Sequence, residues 1–100
     1  MPIRPKNAHK PGRPKGYSSL DVGIAVIFGK TAQDRRLKAG LSQEALAHET
    51  GIERSYISRL ERGLSQPTLL ALLKLAKGLG CEASELLAPV EKAFKRRRSS

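Results

Sequence analysis

Arg54, Ser55, Tyr56, Ser58, Arg59 and Arg62 crowd hydrogen-bonding side chains onto what reads as one short helix of about a dozen residues. Arginine presents a planar fork of donors, and the hydroxyls both donate and accept. At helical spacing Arg54, Ser55 and Arg59 point outward, while Ile57 and Leu60, three apart, point in. A helix with donors at its exposed N-terminal end, braced by a second helix, fits the major groove of DNA.

The brace lies immediately upstream. Ser42 is a good N-cap for a helix running to about Glu49, with Ala45, Leu46 and Ala47 inward and Gly51 as its stop. Ile52 then falls in a tight turn before the donor-bearing helix, which spans residues 53–62 and is closed by Gly63. Residues 22–39 are expected to form the first helix, gathering Val22, Ala25, Ile27, Phe28, Ala32 and Leu37 on one broad face. Ser18 or Ser19 would cap it, with Asp21 in its first turn and Gly40 at its end. Thr68 after Pro67 caps a leucine-rich fourth helix, and Ser84 a short last helix over residues 85–88, stopped by Pro89. Strand-like alternation and internal repeats are absent, so the expected class is all-α, with five helices.

Charge divides the chain. The net charge is +10. Residues 1–20 hold five basic side chains and no acid; residues 21–90 hold nine basic and eight acidic; residues 91–100 hold five basic and one acidic. The Pro-rich, basic residues 1–17 read as a disordered arm, residues 18–91 as the folded domain and residues 92–100 as a basic C-terminal tail. Flexible basic tails on a near-neutral domain suggest a polyanionic partner. The single Cys81 excludes an intramolecular disulfide and makes no metal site alone, so no metal or cofactor is expected. The reducing cytoplasm, at the nucleoid, is the expected compartment. The apolar run at residues 22–28 lacks a cleavage site and no segment is long enough to span a membrane, so no membrane partner is expected. Enzymatic readings fail on inventory. His9 lies in the arm, His48 falls on a helix surface, and no phosphate-cradling glycine loop is present.

Taken together, Phe28-Gly29, Arg36, Gly40-Leu41-Ser42-Gln43, Leu46-Ala47, Gly51-Ile52, Ile57-Ser58-Arg59-Leu60-Glu61, Gly63, Pro67 and Leu86-Leu87 resemble the helix-turn-helix proteins of the phage repressor and Cro (XRE-like) type, over roughly residues 22–88. The stretch from Glu53 to Ser58 is also similar to restriction–modification controller proteins. The resemblance implies a repressor-like fold and a sequence-specific, double-stranded-DNA-binding transcriptional regulator. It implies base readout by Arg54, Ser55 and Arg59, Ser55 reading a base or touching a phosphate. Gln43, Tyr56, Ser58, Arg62 and Lys38 would serve phosphates or flank the site. Tyr56 packs on a sugar or thymine methyl, or else against the scaffold. By the same resemblance Arg36 and Glu61 pair structurally between the first and third helices. Two departures stand out: Glu53, where Ser, Thr or Asp is common, and Arg35, where relatives often carry an apolar residue.

One helix reads few base pairs, so a homodimer on a partly palindromic operator is expected, with Leu69, Leu72, Leu73, Leu86 and Leu87 supplying the contact. Arg13 and Lys15 sit in a Pro-Gly-Arg-Pro-Lys-Gly stretch that resembles the AT-hook core, a minor-groove arm. Two alternatives remain at this point. One is an antitoxin whose partner is a toxin or another regulatory protein; the other is an architectural DNA-binding protein that relies on its tails.

Overall fold

The computed structural model describes residues 20–99. Among these residues there are five helices and no strand: α1 (Val22–Lys38), α2 (Gln43–Thr50), α3 (Arg54–Glu61), α4 (Leu69–Leu79) and α5 (Ala83–Ser99). The proposed arm over residues 1–17, with Arg13 and Lys15, lies outside the described residues.

The starts of α1, α2 and α4 follow side-chain caps that satisfy amide groups without an intrahelical partner. Ser42 Oγ accepts from the Ala45 N–H and Thr68 Oγ1 from the Ala71 N–H, each at 3.0 Å. At α1 the cap is Asp21 itself, not Ser18 or Ser19: its Oδ1 accepts from the Ile24 N–H at 3.1 Å. Ser84 likewise lies inside the first turn of α5 rather than capping it.

The buried stripe of α1 is Ala25, Phe28, Gly29, Ala32 and Arg36, whereas Val22 and Leu37 are exposed. A stripe that includes a glycine and ends on an arginine is not marked by apolar residues alone, so the expected face and the buried one differ. Gly29 has a steric role, because a Cβ there would lie 2.2 Å from the Leu60 carbonyl oxygen. Only a hydrogen side chain lets α1 cross α3 this closely. Phe28, Leu46, Ile57, Leu60, Leu75 and Leu86 are the largest fully buried side chains, one or more from each helix. The core is therefore a single cluster shared by all five helices.

Two expectations are overturned by burial and by helix length. Leu72 and Leu86 are 5% and 0% exposed, so they belong to the chain's own core rather than to an exposed contact face. The last helix does not stop at Pro89: α5 is seventeen residues long in all, runs on past the proline to Ser99 and takes up the basic segment that reads as a tail. Proline in a helix interior costs about 3 kcal/mol through a lost hydrogen bond and a ring clash. Pro89 faces solvent, however, and the next residue, Val90, is buried against the core. Packing beyond the proline thus outweighs the local break.

Candidate nucleic-acid interface

The angle between α2 and α3 is fixed within the turn. Gly51 adopts φ +75°, a left-handed conformation open to glycine, and its N–H donates to the Ala47 carbonyl at 2.8 Å. The Thr50 hydroxyl donates to the Leu46 carbonyl at 2.8 Å and accepts from the Ile52 N–H at 3.2 Å. Buried Ile52 anchors the turn to the core. With Ile57 and Leu60 each 1% exposed on its inner side, α3 must present Arg54, Ser55 and Arg59 to solvent. The structure brings these three to one exposed face.

Behind that face lies a hydrogen-bonded network. Arg36 Nε donates to Glu61 Oε2 at 2.7 Å and Nη2 to Oε1 at 3.0 Å, while Nη1 donates to the Leu41 carbonyl at 2.8 Å. The side chains are 10% and 2% exposed. Glu61 Oε1 also accepts from Gln43 Nε2 at 2.9 Å and from Gln33 Nε2 at 3.4 Å. Burial pushes the Glu61 carboxyl up, but Arg36 and the amides of Gln43 and Gln33 outweigh it and hold the group below its ordinary value. Hydrogen bonding to Glu61 raises Arg36 in turn. A charge this enclosed is tolerable because it is paired and hydrogen-bonded.

Gln43 extends the network to the surface, where its Oε1 accepts from Arg54 Nη1 at 3.3 Å. Arg59 has its own partner, donating from Nε to Ser65 Oγ at 3.2 Å. Arg62 folds back along α3 and donates from Nε to the Ser58 carbonyl at 3.3 Å. Lys38 is exposed at the end of α1, close in sequence to the N-terminus of α2. Tyr56 belongs to the scaffold: it is half-buried, its hydroxyl donates to the Gln66 carbonyl at 3.2 Å and it accepts from the Thr68 N–H at 3.3 Å. Glu53 occupies the N-cap position of α3, is exposed and makes no side-chain cap bond. Arg35 is not an unexplained departure, since it bridges α1 to α5 through Glu85 at 3.1 Å.

Gln33, Ser65 and Gln66 hydrogen-bond to the candidate residues Glu61, Arg59 and Tyr56 and were not singled out by sequence reasoning. Gln33 lies three residues ahead of Arg36, a spacing that places both on one helix face, and this was the one usable signal. Ser65 and Gln66 sit in a loop with no such periodicity. Cys81 is half-buried, and burial pushes its thiol up. Among the described residues no cluster of His, Cys, Asp and Glu could hold a metal ion, and no helix is long and apolar enough to cross a membrane.

The arrangement offers two forked cations and a hydroxyl on a rigid helix, next to the free amides at the head of α2. Such donors match anionic phosphates and the acceptor-rich edges of base pairs.

Comparison with known proteins agrees with that chemistry. A helix-turn-helix family model matches residues 33–86. The control protein C.BamHI of Bacillus amyloliquefaciens is 40% identical over 65 residues, spanning 64% of this chain and 80% of that protein. The HTH-type transcriptional regulator y4dJ of Sinorhizobium fredii is 39% identical over 65 residues, spanning 65% and 84%. Among solved structures, the restriction-modification controller protein C.AhdI from Aeromonas hydrophila superposes with a TM-score of 0.63 at 42% identity, over 64% of this chain and 97% of that one.

Proposed function

We propose that this chain, which belongs to the helix-turn-helix family and is a DNA-binding transcriptional regulator, acts as a homodimer on a partly palindromic operator. The observation that carries the reading is the outer face of α3, where Arg54 and Arg59 are exposed yet each is held by a neighbour, Gln43 and Ser65. Arginines ordered before binding lose less conformational freedom on contact.

In this reading α3 enters the major groove. Arg54 and Arg59 donate to guanine O6 and N7, and Ser55 contacts a base or a nearby phosphate. A well-formed bidentate arginine–guanine contact contributes about 1–3 kcal/mol of discrimination. The amides at the head of α2 face a phosphate, with Gln43, Lys38, Ser58 and Arg62 around them fixing register. One helix spans only a few base pairs, so two copies related by a two-fold axis read two half-sites about one helical turn apart. The dimer surface is the exposed leucine patch on α4 and α5, Leu69, Leu70, Leu73 and Leu87.

Selection from a randomised duplex library at physiological salt, with the full chain, tests this. An inverted repeat of short half-sites supports the dimeric operator reading. Featureless or merely A·T-rich enrichment defeats it in favour of tail-driven architectural binding.

A further inference from the structure

The first half of α1 and the last half of α5 fall outside the matched family span of residues 33–86, and they are fastened to each other. Arg97 donates to both carboxylate oxygens of Asp21, Nη1 to Oδ2 at 2.6 Å and Nη2 to Oδ1 at 3.0 Å. Its guanidinium also lies 5.8 Å from the centre of the Phe94 ring. Asp21 is tied onward, since its backbone N–H donates to Gln66 Oε1. The Gln66 carbonyl accepts from the hydroxyl of Tyr56 on α3. A line of hydrogen bonds thus connects the helix that carries Arg54 and Arg59 to the last turns of α5.

Those turns have two sides. Leu86, Val90, Ala93 and Arg97 follow helical spacing and face the core and the head of α1. Lys92, Lys95 and Arg96 are exposed and fall away from that stripe. Residues 91–100 hold five basic side chains and one acid, whereas residues 21–90 hold nine and eight. The one acid, Glu91, lies 3.7 Å from Lys95 in an exposed pair that a phosphate can readily displace.

We infer that the last turns of α5 form a second DNA contact, a preformed ridge of Lys92, Lys95 and Arg96 that grips backbone phosphates beside the half-site, held in line with α3 by the Asp21–Arg97 clasp. Cations at a helix C-terminus also complement its dipole, but that effect requires no bidentate anchor to another helix. A charge reservoir does not need one either. The clasp fixes where the cations stand relative to α3, which matters when the partner is a rigid, periodic array of phosphates. The inference rests on α3 being the reading helix.

The test measures binding of the full chain across a salt series, to the library-selected duplex and to a mixed-sequence duplex of equal length. Lys92→Ala/Lys95→Ala/Arg96→Ala should lower affinity for both duplexes by a similar factor. It should also reduce the log–log salt slope by about 2 to 3, at about 0.9 for each phosphate left without its cation. Lys74→Ala/Lys77→Ala removes exposed charge from α4 and should leave the slope unchanged. Equal effects per charge in the two variants, or no effect in the first, overturn the ridge. Asp21→Asn retains a competent N-cap and every cation but releases Arg97. It should weaken binding several-fold even though net charge rises, and equal or tighter binding overturns the role of the clasp. If the wild-type chain prefers neither duplex, the operator reading fails by itself, while the slopes still decide whether α5 touches phosphate.

Discussion

Gln43, at the head of α2, donates across 2.9 Å to Glu61 at the tail of α3, and its carbonyl oxygen accepts from Arg54 at the other end of that same helix. A planar amide cannot turn one end without turning the other. The buried carboxylate therefore sets the direction in which Gln43 presents its acceptor to the exposed arginine. Gln43→Ala should cost about 1 kcal/mol of stability for the lost hydrogen bond. Its larger effect should be on specificity, as Arg54 loses its alignment. Repeating duplex selection with this variant should show blurred preference at one position of each half-site. A phosphate-only role for Gln43 predicts instead a uniform loss of affinity with the preference intact.

Arg59 is the second arginine with a fixed partner, Ser65. Arg59→Ala should relax preference at defined base pairs by about 1–3 kcal/mol in competition binding, with helicity and melting temperature unchanged. Ser65→Ala should move the same positions by a smaller amount. An unaltered preference in Arg59→Ala would exclude this residue from readout.

The Arg36–Glu61 pair links stability to pH. Glu61 is held below its ordinary value, so the folded state releases its proton more readily than the unfolded chain does. Stability from this group is thus fully present above the unfolded carboxylate range and is lost as pH falls through the lower, folded value. Asp21 acts in the same direction: hydrogen bonding from Arg97, then from the Ile24 amide, lowers it from 3.8 to about 2. Thermal melts should hold level near neutrality and fall as pH drops from about 4 toward 2. Glu61→Ala should remove part of that dependence and cost about 3–5 kcal/mol at neutral pH, because it strands a buried guanidinium. A loss under about 1 kcal/mol, the range of a surface pair, would mean that water reaches Arg36.

What could be read from the chain and what could not divide along one physical line. The α2–turn–α3 unit was legible because its determinants are local: Ser42 caps, Gly51 turns, and Ile57 and Leu60 mark the inner face. The end of α5 was not. Pro89 is a strong local stop, and the forces that override it come from far away in the chain, in the burial of Val90 in the shared core and the clasp from Arg97 to Asp21, 76 residues apart. The network around Glu61 was half legible, since a pair can be expected from charge, whereas the approach of Gln33 and Gln43 depends on how closely α1 crosses α3. That crossing is set at Gly29, where a missing side chain rather than a present one determines the distance. Leucines on α4 posed the same difficulty, because a helix so rich in them does not reveal which face points inward.

That ambiguity makes the proposed dimer surface the sharpest case to test. Leu69, Leu70, Leu73 and Leu87 are 73%, 61%, 50% and 41% exposed. Leu69 and Leu87 also line a groove of ≈ 390 Å³ whose floor includes Phe28, Leu72 and Val90. Contiguous exposed apolar surface of this kind marks an interaction face. Leu69 and Leu73, four apart on α4, can be changed without opening the core. Leu69→Glu/Leu73→Glu should retain helicity while sedimentation equilibrium reports half the wild-type mass. Binding to the full inverted repeat should then fall to the level of a single half-site. Leu72→Ala, one residue from Leu73 but 5% exposed, should do the opposite, lowering stability by about 2–5 kcal/mol while the folded fraction stays dimeric. Unchanged mass in the double glutamate variant would move the two-fold contact to another face of the molecule. Loss of mass in Leu72→Ala without loss of stability would mean that α4 turns its other side to the partner.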